Sequence, residues 1–249
     1  MPDGSVPFGG QGQAPLSLVE LLRYASRLYG AQVRTLVPAF VVVFVALREL
    51  LLVLLVIDQS AVVVLLLATM VQAIIPAFVG SLLVAAAVAV LWGEASGLRE
   101  AWEALAGQRA DIFRAARWSA VLALFAAVTL GSFGILVQPV VLGPPLVIHE
   151  IVVRRHRLDR AWERTRQMME RDSRQLVYLL AIPAAIGLLL AGVLGAFGVL
   201  SSDIPGVLRG VLHFAAQGAL LGAAIPLVAA VGVLLYADMA STLGGDEAT

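Results

Sequence analysis

Two ionisable side chains lie side by side deep within an apolar stretch of this sequence. Arg48 and Glu49 fall inside residues 36–57, which carry no other charge. An ionisable group at the centre of a bilayer costs about 3 kcal/mol or more unless it is paired or hydrated. Neighbouring residues point about 100° apart on a helix, so we expect both side chains to find partners on other helices.

Four more polar side chains interrupt apolar stretches at similar depth: Gln72, Gln138, His213 and Gln217. With Arg48 and Glu49 they could line a polar cavity that opens to the outer side and binds or conducts a polar solute or lipid headgroup. Arg48 would then anchor an anion, and Glu49 or His213 would exchange protons. The alternative, which we favour, is interhelical hydrogen bonding worth about 0.6–2 kcal/mol for each side chain.

His149 and Glu150 form a second ionisable pair at the end of an apolar stretch. Such a pair could serve acid/base chemistry or metal binding, but adjacent positions diverge on a helix and no second histidine has ligand spacing. We predict an interfacial pair that reaches water, and a solvated His156. The sequence has no cysteine, HExxH motif or phosphate-binding glycine loop, so we expect no catalytic residue, metal or cofactor.

Composition indicates the elements that carry these residues. The chain is 60% hydrophobic and 14% charged, with a mean hydropathy of +0.93, which excludes an ordinary water-soluble domain. Apolar runs exceed the about 18 residues that a helix needs to cross a bilayer. The predicted fold is all-α, a polytopic membrane protein with about six transmembrane helices at residues 36–57, 61–92, 114–131, 134–153, 176–200 and 207–236.

The predicted domain organisation is a single transmembrane domain, residues 16–238, between two polar ends. Residues 1–15 are predicted to be a disordered cytoplasmic tail, and residues 239–249 a second cytoplasmic tail. Span two is longer than a bilayer is thick, so tilt, protrusion or a kink at Pro76 is expected. Glycines at both ends of residues 131–134 predict a hinge between spans three and four.

The basic residues are distributed unevenly and predict the orientation. All 17 are arginine; three precede span one, four follow span two and eight follow span four. Arginine concentrates in short cytoplasmic loops, so both termini are predicted to be cytoplasmic. The lysine-free composition, rich in Ala, Val and Leu, favours a GC-rich bacterial genome, and with it the bacterial plasma membrane.

A short motif occurs twice and predicts an internal repeat. Residues 98–103 and 158–163 share the pattern L-x-x-A-W-E, each on a charged helix before a span, and residues 18–23 occupy the equivalent place before span one. The chain therefore has the pattern of three transmembrane hairpins, each preceded by an amphipathic cytoplasmic or interfacial helix. The alternative is that amphipathic helices simply reuse the same few residue types.

Small residues recur at four-residue spacing on spans five and six: Gly187, Ala191, Gly195, Gly218 and Gly222. This spacing favours close helix packing, and we expect that packing to be within the chain. The pattern leaves the oligomeric state open.

The segment after span four is the most basic part of the sequence, with Arg154, Arg155, Arg157, Arg160 and Arg164. These arginines could bind anionic membrane lipids, at about 1 kcal/mol each, or a protein partner at the cytoplasmic helices. Interspersed acidic residues dilute the charge, and no aromatic or fold signal favours nucleic acid.

Four segments together carry a family resemblance: residues 16–30, PLVIHE at 145–150, AWERT at 161–165 and LLYAD at 234–238. They resemble the bacterial glycerophosphoryl diester phosphodiesterase membrane domain family. The resemblance implies a six-helix anchor or scaffold without the hydrolase domain. The basic helix departs from the family pattern at Thr165, Met169 and Arg171, where Ser, Thr and Gly are expected.

The function predicted from these observations is that of a non-enzymatic membrane scaffold or accessory subunit. The alternative is a small transporter or lipid-handling permease that uses the polar cavity.

Overall fold

The computed structural model describes residues 16–57, 74–130, 145–171 and 173–244. The predicted N-terminal tail, the glycine hinge at 131–134, Gln72 and Gln138 lie outside the described residues. So do the start of predicted span two and most of predicted span four.

Every regular element in the described ranges is a helix, and no strand occurs there. The helices are α1 (Leu18–Ile57), α2 (Ile75–Leu91), α3 (Leu98–Ala104), a short 3-10 helix (Ala106–Gln108), α4 (Arg109–Leu130), α5 (Pro145–Arg154), α6 (Leu158–Arg171), α7 (Ser173–Leu200) and α8 (Gly206–Gly244).

Three segments of these helices are long and apolar enough to cross a membrane: Leu18–Leu50, Val177–Leu200 and Gly206–Ser241. α2 is also apolar but is shorter, with 17 residues. The all-helical class and a membrane location are therefore supported by three helices of spanning length. α1 and α8, with 40 and 39 residues, are longer than a bilayer is thick and extend beyond it.

α1 differs from the sequence prediction because the amphipathic segment and span one form one continuous helix. Gly30 weakens a helix by only about 1 kcal/mol, and Pro38 removes a single backbone hydrogen bond. Fully buried side chains recur at four-residue spacing along α1, at Leu36, Phe40 and Phe44. The packing of these three side chains keeps the helix continuous at Gly30 and Pro38.

α1 and α8 run antiparallel in very close contact. A Cβ atom added to Gly218 would lie 2.6 Å from the Val45 Cα, and one added to Gly222 would lie 2.5 Å from the Val41 Cα. The expected close packing within the chain is thus confirmed for these two glycines. The same antiparallel pairing brings the two described ends together, since the Leu16 amide donates to the Asp238 carboxylate at 3.2 Å.

α8 continues past the predicted end of span six, through Gly244. Met239 and Ala240, predicted to belong to a tail, are buried in a cluster with Leu21 and Ala25 of α1. This burial explains the extension, because the last turns of α8 have an apolar surface to cover.

The charged segments at residues 94–117 and 154–171 lie at one end of the molecule, which we call the charged end. α2 is the central helix there. Its second half is buried from Val84 to Leu91 and contacts α3, α4, α5 and α8. α2 ends at Leu91, and Trp92 and then Gly93 follow it; the φ of +86° at Gly93 favours glycine. The Glu94 amide there donates to the Ala89 carbonyl at 2.9 Å, which fixes Glu94 just beyond the helix end. Pro76 lies in the first turn of the described helix, where its missing N–H is tolerated.

The repeat positions share their burial. In each unit the third and seventh residues after the first leucine are buried: Leu21 and Ala25, Ala101 and Leu105, Ala161 and Thr165. The first two units also begin alike, because a serine donates to a nearby glutamate, Ser17 to Glu20 and Ser96 to Glu100. The hydroxyl and amide of Ser96 hold the pKa of Glu100 below its ordinary value. These common features favour a repeat over chance similarity.

Candidate functional site: a buried carboxylate at the charged end of the helices

The Glu150 carboxylate is fully buried near the end of α5 and is the centre of a polar network. The Tyr236 hydroxyl of α8 donates a hydrogen bond to Oε2. At Oε1, His156 Nδ1 lies 2.9 Å away and Arg164 Nε of α6 lies 3.2 Å away. We call Glu150, His156, Arg164 and Tyr236 the Glu150 network; it joins α5, the α5–α6 connection, α6 and α8.

Aromatic rings enclose the network on the side of the membrane helices. The His149 ring stacks on the Tyr236 ring at a centroid distance of 5.7 Å, and the Trp92 ring meets Tyr236 edge-on at 6.0 Å. Gly232 provides the space for His149, because a Cβ there would lie 2.9 Å from His149 Cε1. One turn separates Gly232 from Tyr236, so a single face of α8 receives both His149 and Glu150.

A second, more exposed set of contacts surrounds Arg155, in the connection between α5 and α6. Arg155 has a φ of +57°, a left-handed conformation unusual for a side chain of its size. Its guanidinium pairs with Glu94 beyond the end of α2, and donates to Gln108 Oε1 at 2.8 Å and the Ala104 carbonyl at 3.3 Å. The connection is thereby tied to α3 and the short 3-10 helix of the second repeat unit.

The Glu150 network has the electrostatics of a structural junction. Burying a carboxylate without compensation costs several kcal/mol, and donors on both of its oxygens offset that cost. Those donors also occupy the positions through which a catalytic carboxylate would accept a proton or reach a substrate. The arrangement thus suits fixing four segments in place more than acid/base chemistry.

Thr165 is a buried polar side chain whose hydroxyl has no hydrogen-bond partner among the described residues. It occupies the repeat position that Ala25 and Leu105 hold in the other two units. A buried hydroxyl without a partner is destabilising by about 1–3 kcal/mol.

The prediction of a water-reaching His149 and Glu150 pair is wrong, because both are buried, and so is the prediction of a solvated His156, which contacts Glu150. The His149 and Glu150 side chains point in different directions from α5, but neighbouring helices cover both directions, so both side chains are buried. Tyr236 and Gly232 were not predicted as site residues. One signal was present, since Glu150 is the only acidic or arginine residue between positions 118 and 153.

The five arginines of the predicted lipid or partner surface separate into two groups. Arg154, Arg155, Arg157 and Arg160 are exposed, although Arg155 pairs with Glu94 and Arg154 interacts with the Tyr236 side chain. Only 16% of the Arg164 side chain is exposed, because it turns toward Glu150. Arg164 is thus part of the internal network and does not belong to the outward surface.

Three residues of the predicted polar cavity, Arg48 of α1 and His213 and Gln217 of α8, lie at a similar height along the paired helices α1 and α8. Arg48 is fully buried and continues the stripe of Leu36, Phe40 and Phe44. The register that sets Val45 against Gly218 places residue 48 near the level of residue 215, within about a turn of His213 and Gln217.

The other members of that cavity differ in their surroundings. His213 and Gln217 are half-buried, and the His213 ring lies 6.4 Å from that of Phe197 on α7. Glu49 is half-buried, with Oε1 buried and without a hydrogen-bond partner in the described ranges. Arg48 is thus enclosed by protein.

In the part of the chain that the structure describes, no group of three or more His, Asp or Glu side chains could hold a metal ion. Comparison of the chain with family models, with curated proteins and with solved structures gives no match.

Proposed function

We propose that this protein is a non-enzymatic membrane scaffold or accessory subunit that presents charged helices at the membrane surface to a protein partner. The observation that carries the proposal is the Glu150 network. Its contacts attach α6 to α5 and to α8, which has spanning length. A helix attached in this way has a fixed position and so can serve as a binding platform.

The outward face of α6 is suited to a protein surface of mixed charge. Arg160, Glu163, Arg166 and Glu170 are exposed there, and Arg166 pairs with Glu170 at 2.7 Å. Alternating signs give specificity for a complementary protein surface, whereas a purely basic face would favour any anionic polymer. This face is the proposed partner surface.

The proposal includes six transmembrane helices, cytoplasmic termini, a bacterial plasma membrane and membership of the glycerophosphoryl diester phosphodiesterase membrane domain family. The arginine distribution supports the orientation. The contact between Leu16 and Asp238 supports an even number of crossings, since segments in contact are expected on the same side of a membrane. The shared burial of the repeat positions supports three hairpins.

A photo-crosslinking residue at Glu163 tests the partner surface in intact cells. Leu188 of α7, which is 64% exposed and lies in a spanning segment, is the control position. We expect position 163 to give one discrete protein adduct, which reversal of the nearby charge by Arg160→Glu abolishes, and position 188 to give none. Equal adducts at both positions, or an adduct unaffected by Arg160→Glu, would refute the platform.

A lipid-handling permease or small transporter is the second candidate, and it is favoured by the full burial of Arg48 in a spanning helix. Buried arginine in a membrane helix often marks an anion pathway. Full-length protein in proteoliposomes, with Arg48→Leu as the comparison, distinguishes the candidates. Anion flux or lipid transbilayer movement that Arg48→Leu abolishes in a folded protein supports the permease; flux equal to that of empty vesicles supports the scaffold.

A further inference from the structure

A pocket of about 390 Å³ lies beside α4, and none of its lining residues belongs to the Glu150 network. It is lined by Arg114, Arg117, Trp118 and Val121 of α4 and by Leu158 at the start of α6. Its volume lies within the range of small-molecule sites, about 300–1,000 Å³. None of these residues belongs to the proposed platform face or to the predicted polar cavity.

The exposed face of α4 changes character along the helix. Arg114 and Arg117 come first; Trp118, Val121 and Phe125 follow, with 53%, 54% and 68% of each residue exposed. These positions lie on one side of the helix by their spacing of three and four residues. Arginine, then tryptophan, then exposed apolar side chains is the order met on passing from water through the headgroups into lipid.

The charge of the pocket matches an anion with one negative charge. Arg114 Nη1 pairs with Asp111 Oδ1 at 3.2 Å, so that arginine is partly neutralised. Arg117 is exposed on the next turn. The two arginines and one aspartate leave a net charge of one, which suits a phosphodiester better than a doubly charged phosphomonoester.

We infer that this pocket is a binding site for one anionic phospholipid. Arg117 and Arg114 bind the phosphodiester, Trp118 lies at the level of the glycerol and ester groups, and an acyl chain follows Val121 and Phe125. Leu158 forms the opposite wall, so an occupied site bridges α4 and the start of α6. A free soluble phosphate would satisfy the arginines but would leave the apolar half of the site uncovered.

Native mass spectrometry of the full-length protein, titrated with phosphatidylglycerol or phosphatidylcholine, tests this site. We expect one phosphatidylglycerol to bind more tightly than phosphatidylcholine, and Arg114→Gln with Arg117→Gln to weaken it about 25-fold, at about fivefold for each arginine. Arg99→Gln with Arg166→Gln removes two exposed arginines elsewhere and should change binding less than about twofold. Equal weakening by both pairs, or equal binding of the two lipids, would overturn the inference.

Two further measurements do not depend on the arginine variants. Glycerophosphoglycerol, the soluble phosphodiester headgroup of phosphatidylglycerol, should fail to displace the bound lipid; displacement would mean a soluble-anion site and contradict a lipid site. Phosphatidylglycerol brominated on its acyl chain should quench the fluorescence of the wild type more than that of Trp118→Phe. Identical fractional quenching in the two proteins would show that Trp118 does not contact the bound lipid.

Discussion

Tyr236 donates a hydrogen bond to the Glu150 carboxylate across 86 positions of sequence. This bond connects the last described helix with α5, and Arg164 and His156 extend the connection to α6 and the segment before it. A buried carboxylate attracts donors from every neighbouring element, because each such contact offsets part of its desolvation. Glu150 therefore organises the charged end of the molecule.

Replacement of Tyr236 by phenylalanine should lower the free energy of unfolding by about 1.5–3 kcal/mol, the usual contribution of a hydrogen bond to a charged group. Reversible unfolding in mixed micelles measures it. Tyr24→Phe is the matched control, since Tyr24 lies at the edge of the apolar cluster that contains Tyr236. Losses of equal size in both variants would mean that the bond to Glu150 adds no stability.

Gly218→Ala should destabilise the protein by about 1–3 kcal/mol, because the new methyl group would overlap the backbone of α1 at Val45. Gly198→Ala is the control, since a Cβ there has no neighbour within 4 Å and alanine favours a helix. Thermal unfolding in detergent compares the two. A Gly218→Ala protein as stable as Gly198→Ala would refute the close contact between α1 and α8.

Thr165→Val should leave stability unchanged or raise it by up to about 1–3 kcal/mol, because valine has a similar shape and removes a buried hydroxyl without a described partner. Ser81→Ala is the comparison, since the equally buried Ser81 hydroxyl donates to the Ala77 carbonyl at 2.7 Å. A clear loss of stability in Thr165→Val would show that its hydroxyl makes a stabilising hydrogen bond and would contradict this account.

The helical class and the longest membrane helices could be predicted from the sequence, since apolar runs of spanning length have few other structures available. The repeat motif predicted equivalent positions in two units, and the structure shows that two of them, Ala101 and Ala161, are buried alike. The Glu150 network could not be predicted in this way. Its burial depends on Gly232 and Tyr236, which face α5 only after α8 has packed, and no local pattern encodes that contact.

The continuity of α1 was not predictable for a related reason. Gly30, Pro38 and the arginines before span one are typical of a boundary between two helices. Packing against α8 extends beyond this region in both directions, from Leu21 to Phe44, and tertiary packing outweighs local propensity. Tertiary packing also extends α8 into residues that were predicted to form a tail, since Met239 and Ala240 pack against α1.

The absence of cysteine permits a direct test of the proposed orientation. Ser202→Cys follows α7 and Arg160→Cys precedes it, and both positions are exposed. A membrane-impermeant maleimide added to intact cells should label position 202 and reach position 160 only after lysis. Labelling of position 160 in intact cells would reverse the orientation.

Hydrogen exchange of α6 in a Glu150→Leu variant tests the attachment of the platform most directly. Without the carboxylate, Arg164 and His156 lose their contacts with Glu150, so amides of residues 158–171 should exchange at least tenfold faster than in the wild type. Amides of residues 177–200 in α7 should keep their wild-type rates and thereby show that the variant is folded. Unchanged exchange in α6, with α7 equally protected, would contradict the claim that Glu150 holds the charged helices to the membrane helices.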